Sequence, residues 1–133
     1  MNDPSELSAS EARRLIGRGE LSPLELLEAC ICRIEAINPQ INAIVATDLK
    51  KARREAKIAE NAVLSGNALP PLHGLPIGIK DLNVTKGLRT TWGSKLFENH
   101  VPEEDEALVG RLRSAGGIIV GKTNTPEFGS GTA

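Results

Sequence analysis

Two short apolar runs constrain this chain more than any other feature. Pro76–Ile79 and Ile118–Val120 are too short for helices, carry isoleucine and valine, and are bounded by turn residues. That is the pattern of buried strands. Between them lie an irregular stretch, 83–101, with its threonines and glycines around the single tryptophan Trp92, and then a helical pattern. Asp105 opens that pattern, Ala107, Leu108, Val109, Leu112 and Ala115 carry it, and Gly116 and Gly117 end it. Strand, excursion, helix and strand form a crossover unit, which predicts that the two strands are parallel neighbours.

The residues ahead of this unit read as helical. Ser8 and Glu11 form a capping box for a short helix ending at Gly17 or Gly19. Ser22-Pro23-Leu24-Glu25 is a second box with proline at the first helical position, where its missing N–H costs nothing. Leu26, Leu27, Cys30, Ile31, Ile34 and Ile37 continue it, and Asn38-Pro39 is expected to stop it. Residues 41–46 read as an extended link or the lead-in to a third helix. That helix begins at Asp48 and carries the stripe Leu49, Ala52, Ala56, Ala59 and Val63 down to Gly66. Lys50, Lys51, Arg53, Arg54 and Lys57 flank the stripe as a solvated face, partly balanced by Glu55 and Glu60. The expected organisation is a helical part, 1–70, followed by the start of an α/β core, 71–133.

Composition narrows the function. With 133 residues the chain fits one small domain. Aromatics are only 2%, so Leu, Ile, Val and Ala must build the core. A net charge of −1 argues against a direct nucleic-acid partner or an anionic membrane. No apolar run reaches the roughly 18 residues of a membrane span. Met1-Asn-Asp-Pro-Ser-Glu6 lacks the cationic start of a secretory signal. Cys30 and Cys32 face different sides of one helix, which indicates neither a disulfide nor a metal site and suits a reducing cytoplasm. No cofactor is expected.

Lys80 is the first candidate for chemistry. It ends the run Pro76–Ile79, where the chain leaves the core. Apolar walls penalise an ammonium, and a neutral amine there can accept a proton. Gly74 and Gly78 leave room for close approach to the backbone. An amine at position 80 bathed in solvent and pointing away from any cleft would collapse the hydrolase interpretation, whatever the surrounding letters suggest. His73 reads as a turn residue and Ser94 as structural.

Gly116-Gly-Ile-Ile-Val-Gly-Lys-Thr123 satisfies the phosphate-loop pattern letter for letter. A phosphate loop needs a strand before it, a flexible interior and a helix starting at the lysine. Here a helix precedes, the interior is β-branched, and Asn124-Thr125-Pro126 follows. A P-loop nucleotide site is therefore only a remote alternative.

Several linked stretches resemble the amidase signature family of serine hydrolases. They are PLHGLPIGIKD from Pro71 to Asp81, KGLRTTWGS from Lys86 to Ser94, and Asp105 through GKTNTPEFG, ending at Gly129. Two earlier ones are GELSPLEL from Gly19 and RIEAINPQINA from Arg33 to Ala43. The resemblance runs over nearly the whole chain in the family's order. It implies a mixed sheet covered by helices on both sides, and hydrolysis of amide carbon–nitrogen bonds by a Ser–cisSer–Lys relay. In that relay one serine attacks the carbonyl, a second serine passes the proton on, and the lysine receives it. Lys80 matches that lysine.

The family's two serines lie in Gly- and Ser-rich segments beyond Phe128-Gly-Ser-Gly-Thr-Ala133. The resemblance therefore implies an N-terminal fragment of one amidase domain, inactive alone, that in the complete enzyme meets a small-molecule amide. Phe128, Gly129 and Ser130, with Thr132, are expected in the substrate wall and receive no catalytic role. An unpaired sheet edge would invite self-association. The alternative is a non-catalytic structural module completed by a separate chain.

Overall fold

The computed structural model describes residues 3–131. The helices are α1 (Ala9–Gly17), α2 (Pro23–Ile41), α3 (Leu49–Leu64) and α4 (Ala107–Ser114). The strands are β1 (Ile44–Thr47), β2 (Pro76–Lys80) and β3 (Ile118–Thr123). They form a mixed sheet in the order β1-β3-β2, with β2 parallel and β1 antiparallel to β3. The α/β class and the parallel pair follow the sequence expectation.

The helix starts obey local chemistry. Ser8 Oγ accepts from Glu11 N at 3.2 Å, and Ser22 Oγ accepts from Leu24 N at 3.1 Å and Glu25 N at 3.4 Å. Asp48 caps α3 through Lys51 N at 3.1 Å. Only half of the first capping box forms, because the Glu11 carboxylate pairs with Arg14 instead of reaching back.

Three local expectations are corrected, and one left open is decided. Pro39 does not stop α2, which runs to Ile41 and closes on Asn42 in the left-handed region at φ 50°. The ring sits in the last turn, and Asn38 braces the exit by bonding both Ile44 N (2.8 Å) and Ile44 O (2.9 Å). Residues 44–47 take the extended one of the two alternatives, as a strand, and so bring the mostly helical first part into the sheet. Glu106, not Asp105, occupies the N-cap of α4. Asp105 is drawn away to Lys86 N (2.7 Å) and Arg113 Nε (2.8 Å). Finally, β2, expected as a buried strand, lies at the edge of the sheet among the described residues with only Ile79 buried, and β3 is the interior one.

The core has layers on both faces of the sheet. Ile118 and Val120 pack with Leu27 and Ile31 of α2 and with Ala52, Ala56 and Ala59 of α3. Ile119 turns to the other face, with Ile79, Leu88 and Val109. Ala12 and Ile16 of α1 pack with Leu21, Leu26 and Leu75. The alanine stripe lets α3 approach closely, and Gly121 does the same for β1: a Cβ there would lie 2.4 Å from Ala46 O. Gly116, at φ 101°, closes α4 where a Cβ would lie 2.6 Å from His73 Cα.

The basic residues of α3 are solvated and partly paired. Arg53 Nε lies 2.6 Å from Glu28, and Lys57 Nζ lies 2.8 Å from Glu60. No described helix is long and apolar enough to cross a membrane. Cys30 is half-buried and Cys32 exposed, and both are free. Burial pushes the Cys30 thiol up.

Candidate active site at the carboxyl end of the parallel strands

Lys80 is the last residue of β2 and pairs in register with Thr123, the last of β3. Its side chain is exposed. The expected apolar walls do not enclose it: Lys80 ends a strand at the edge of the sheet and is open to solvent. Exposure removes burial as a support for a neutral amine at this position. The hydrolase reading must then rest on other observations.

The turn after Lys80 is tightly built. Asp81 N extends the ladder to Thr123 O at 2.9 Å, and Asn83 N returns to Lys80 O at 2.9 Å. Asp81 is 2% exposed. Its carboxylate accepts from Thr91 N at 3.0 Å and from the Thr91 hydroxyl. Glu106 holds the far side of the turn, accepting from Asn83 Nδ2 at 2.6 Å and Val84 N at 3.0 Å. Asp81 and Thr91 also line an open cleft of about 380 Å³ with Asn42, Arg89, Ser94 and Asn124.

A second lysine completes this node. Lys122 is 0% exposed. Its ammonium donates to Asn83 O and Thr90 Oγ1, both at 2.8 Å, and lies 3.6 Å from Asp81 Oδ1. Burial holds its pKa below the usual lysine range, while Asp81 and then Glu106 act in the opposite direction. This residue belongs to the stretch that imitates a phosphate loop. Its amine is fully engaged inside the protein, and Ile118–Thr123 is a strand with no cradle of turned amides.

Simple strand alternation misplaces Lys122, since it shares parity with Ile118 and Val120. The ladder slips between the pairs Ile77–Ile119 and Gly78–Gly121, leaving one extra residue on β3. Such a bulge flips the faces that follow it. Lys122 therefore pairs with Ile79 and shares the face of Ile119. The signal available in the sequence was the glycine at 121 inside an otherwise β-branched run.

The expected wall residues come back to the same end of the sheet. Phe128 N donates to Trp92 O at 2.6 Å, and its ring meets Phe97 edge-on at 6.4 Å between centroids. Phe128 is 53% exposed and holds φ 53°. Gly129, at φ 70°, lies so close to Leu82 that a Cβ would come within 2.7 Å of Leu82 Cδ1. Ser130 N donates to Glu127 O at 3.0 Å. Thr132 lies outside the described residues. Gly129 thus packs on Leu82, two residues after Lys80 in the chain, whereas Phe128 belongs to the aromatic cluster of Trp92, Phe97 and His100.

Two expected structural residues have clear roles. His73 is buried and donates from Nε2 to Ala59 O at 2.9 Å, tying the turn before β2 to α3. Ser94 caps the turn Lys95–Phe97 by accepting from Leu96 N at 3.2 Å.

The Amidase family model matches residues 25–133, which includes β2, the turn and Lys122. The chain belongs to the amidase family. An acylamidase of Rhodococcus erythropolis is 45% identical over 123 residues, covering 92% of this chain and 26% of that amidase. One subunit of the glutamyl-tRNA(Gln) amidotransferase of Roseiflexus castenholzii is 43% identical over 128 residues, covering 96% of this chain and 26% of the relative. Among solved structures, the peptide amidase of Stenotrophomonas maltophilia superposes with a TM-score of 0.86 at 31% identity, covering 93% of this chain and 26% of that one. The chain therefore spans about a quarter of the length of the amidases it resembles.

Proposed function

We propose that the chain is the N-terminal part of an amide carbon–nitrogen hydrolase, with Lys80 as the base of a Ser–cisSer–Lys relay. In this reading the Lys80 amine takes the proton of a second serine as that serine takes the proton of the attacking one. The nucleophile bonds to the amide carbonyl carbon. The carbon–nitrogen bond then breaks, the proton returns through the relay to the leaving amine, and water releases the acyl group. Both serines come from polypeptide beyond the 133 residues. Phe128, Gly129 and Ser130 form part of the wall beside the amide. Isolated, the chain is inactive.

One observation carries this reading. Lys80 stands at the carboxyl end of the parallel pair, where open α/β sheets bind ligands, in a chain matched by the Amidase family from residue 25 to its end. The exposure of Lys80 counts against a neutral amine in these 133 residues by themselves. Segments packed over the free edge of β2 would supply the desolvation that a neutral amine requires. Similarity to both an acylamidase and an amidotransferase leaves the proposal at the level of the amide bond.

Two experiments test it together. A serine-directed fluorophosphonate should leave the isolated chain unlabelled, and label at Ser94 or Ser130 would contradict the assignment. A chimaera in which this chain replaces the matching segment of the Rhodococcus acylamidase should hydrolyse that enzyme's amide. A folded chimaera without turnover would overturn the proposal.

A further inference from the structure

The relay uses one lysine, yet the most buried charged side chain among the described residues is another. Lys122 contributes nothing to the surface, and its ammonium donates to two acceptors of the segment that follows Lys80 and lies 3.6 Å from the Asp81 carboxylate. Those acceptors are well spread. Asn83 O belongs to the residue whose N–H closes the turn on Lys80 O. Asp81 is the next residue after Lys80, and its carboxylate is fixed by Thr91. The Thr90 hydroxyl also receives Thr85 N at 3.4 Å and donates to Leu88 O at 3.1 Å, so it gathers the start of the irregular excursion. A single cation thus joins both ends of the turn to the excursion, and it stands on the interior strand.

We propose that Lys122 is a positioning residue for Lys80: its ammonium, shared among Asn83 O, Thr90 Oγ1 and Asp81, fixes the turn that carries Lys80 at the end of β2. The bulge in β3 is the device that aims it there, because unbroken alternation would send the amine into the apolar layer against α2 and α3. Glu106 grips the same turn through Asn83 Nδ2 and Val84 N, but it leaves the Asn83 carbonyl and Asp81 to Lys122. The catalytic consequence rests on the reading of Lys80 as the base.

The test has one arm that needs no catalysis and one that does. In the isolated chain, Lys122→Met should speed hydrogen exchange at the Asn83 and Thr91 amides roughly tenfold, the effect of losing a charged hydrogen-bond partner. Amides of α2 and α3 should lose protection only through the variant's lower global stability, by the amount its urea unfolding sets. In the acylamidase chimaera the same substitution should lower kcat by roughly 10²-fold with KM little changed, the signature of a misplaced catalytic group. Should Lys122→Met fail to fold, Lys122→Met with Asp81→Asn removes both charges and takes the same two readouts. Unchanged exchange at Asn83, or a KM effect with kcat intact, overturns the positioning role. Turnover that survives Lys80→Ala would instead overturn the base, and leaves the exchange arm standing.

Discussion

The helical face of the sheet and its carboxyl end are held together by different means. On the helical face, Leu27, Ile31, Ala52, Ala56, Ala59, Ile118 and Val120 interlock without a charged group among them. Such packing stabilises in proportion to buried apolar area and spreads its contribution over many residues. At the carboxyl end, residues 83–101 have almost no regular structure and are tied down by carboxylates, hydroxyls and one buried ammonium. A polar network concentrates its contribution, because each missing partner leaves another group buried and unsatisfied. The chain therefore tolerates change by degrees on the apolar face and hardly at all at the polar end.

The sharpest break in that contrast is Lys122→Met. It strands the Asp81 carboxylate in the interior, and a loss of about 3–5 kcal/mol is expected in urea unfolding. Adding Asp81→Asn should recover part of the loss. Next comes Gly121→Ala, at the junction of the two regions. Its methyl would meet Ala46 O at 2.4 Å and force β1 off β3, at a cost of about 1–3 kcal/mol in the same assay. Ser22→Ala removes the cap of α2 on the helical side and should cost about 1 kcal/mol. The mildest is Arg53→Ala, which breaks an exposed pair with Glu28 and should lower stability by less than about 1 kcal/mol. If Lys122→Met proves as mild as Arg53→Ala, the polar end is not held as described.

The legible parts of this fold are those set by local chemistry. Ser8, Ser22 and Asp48 announce three helix starts because each hydroxyl or carboxylate caps amides only two or three residues away. The parallel pairing of β2 with β3 was legible because a crossover leaves few topologies open. The failures are non-local. Val45 and Ala46 carry no long alternating run, and only β3 across the sheet makes them a strand. Asp105 looks like a cap until Arg113 and the Lys86 amide compete for it. The site divides in the same way. Lys80 was legible as a strand-end lysine, but its exposure depends on what covers β2. Lys122 was hidden twice, by a phosphate-loop pattern and by a bulge that no local signal other than Gly121 betrays.

Turnover of the acylamidase chimaera carrying Lys80→Ala decides whether Lys80 is the base. The expected result is a folded protein that binds the amide and does not cleave it, with Lys80→Arg equally inert because a guanidinium keeps its proton. Cleavage at the parent chimaera's rate would contradict the assignment and remove Lys80 from the chemistry.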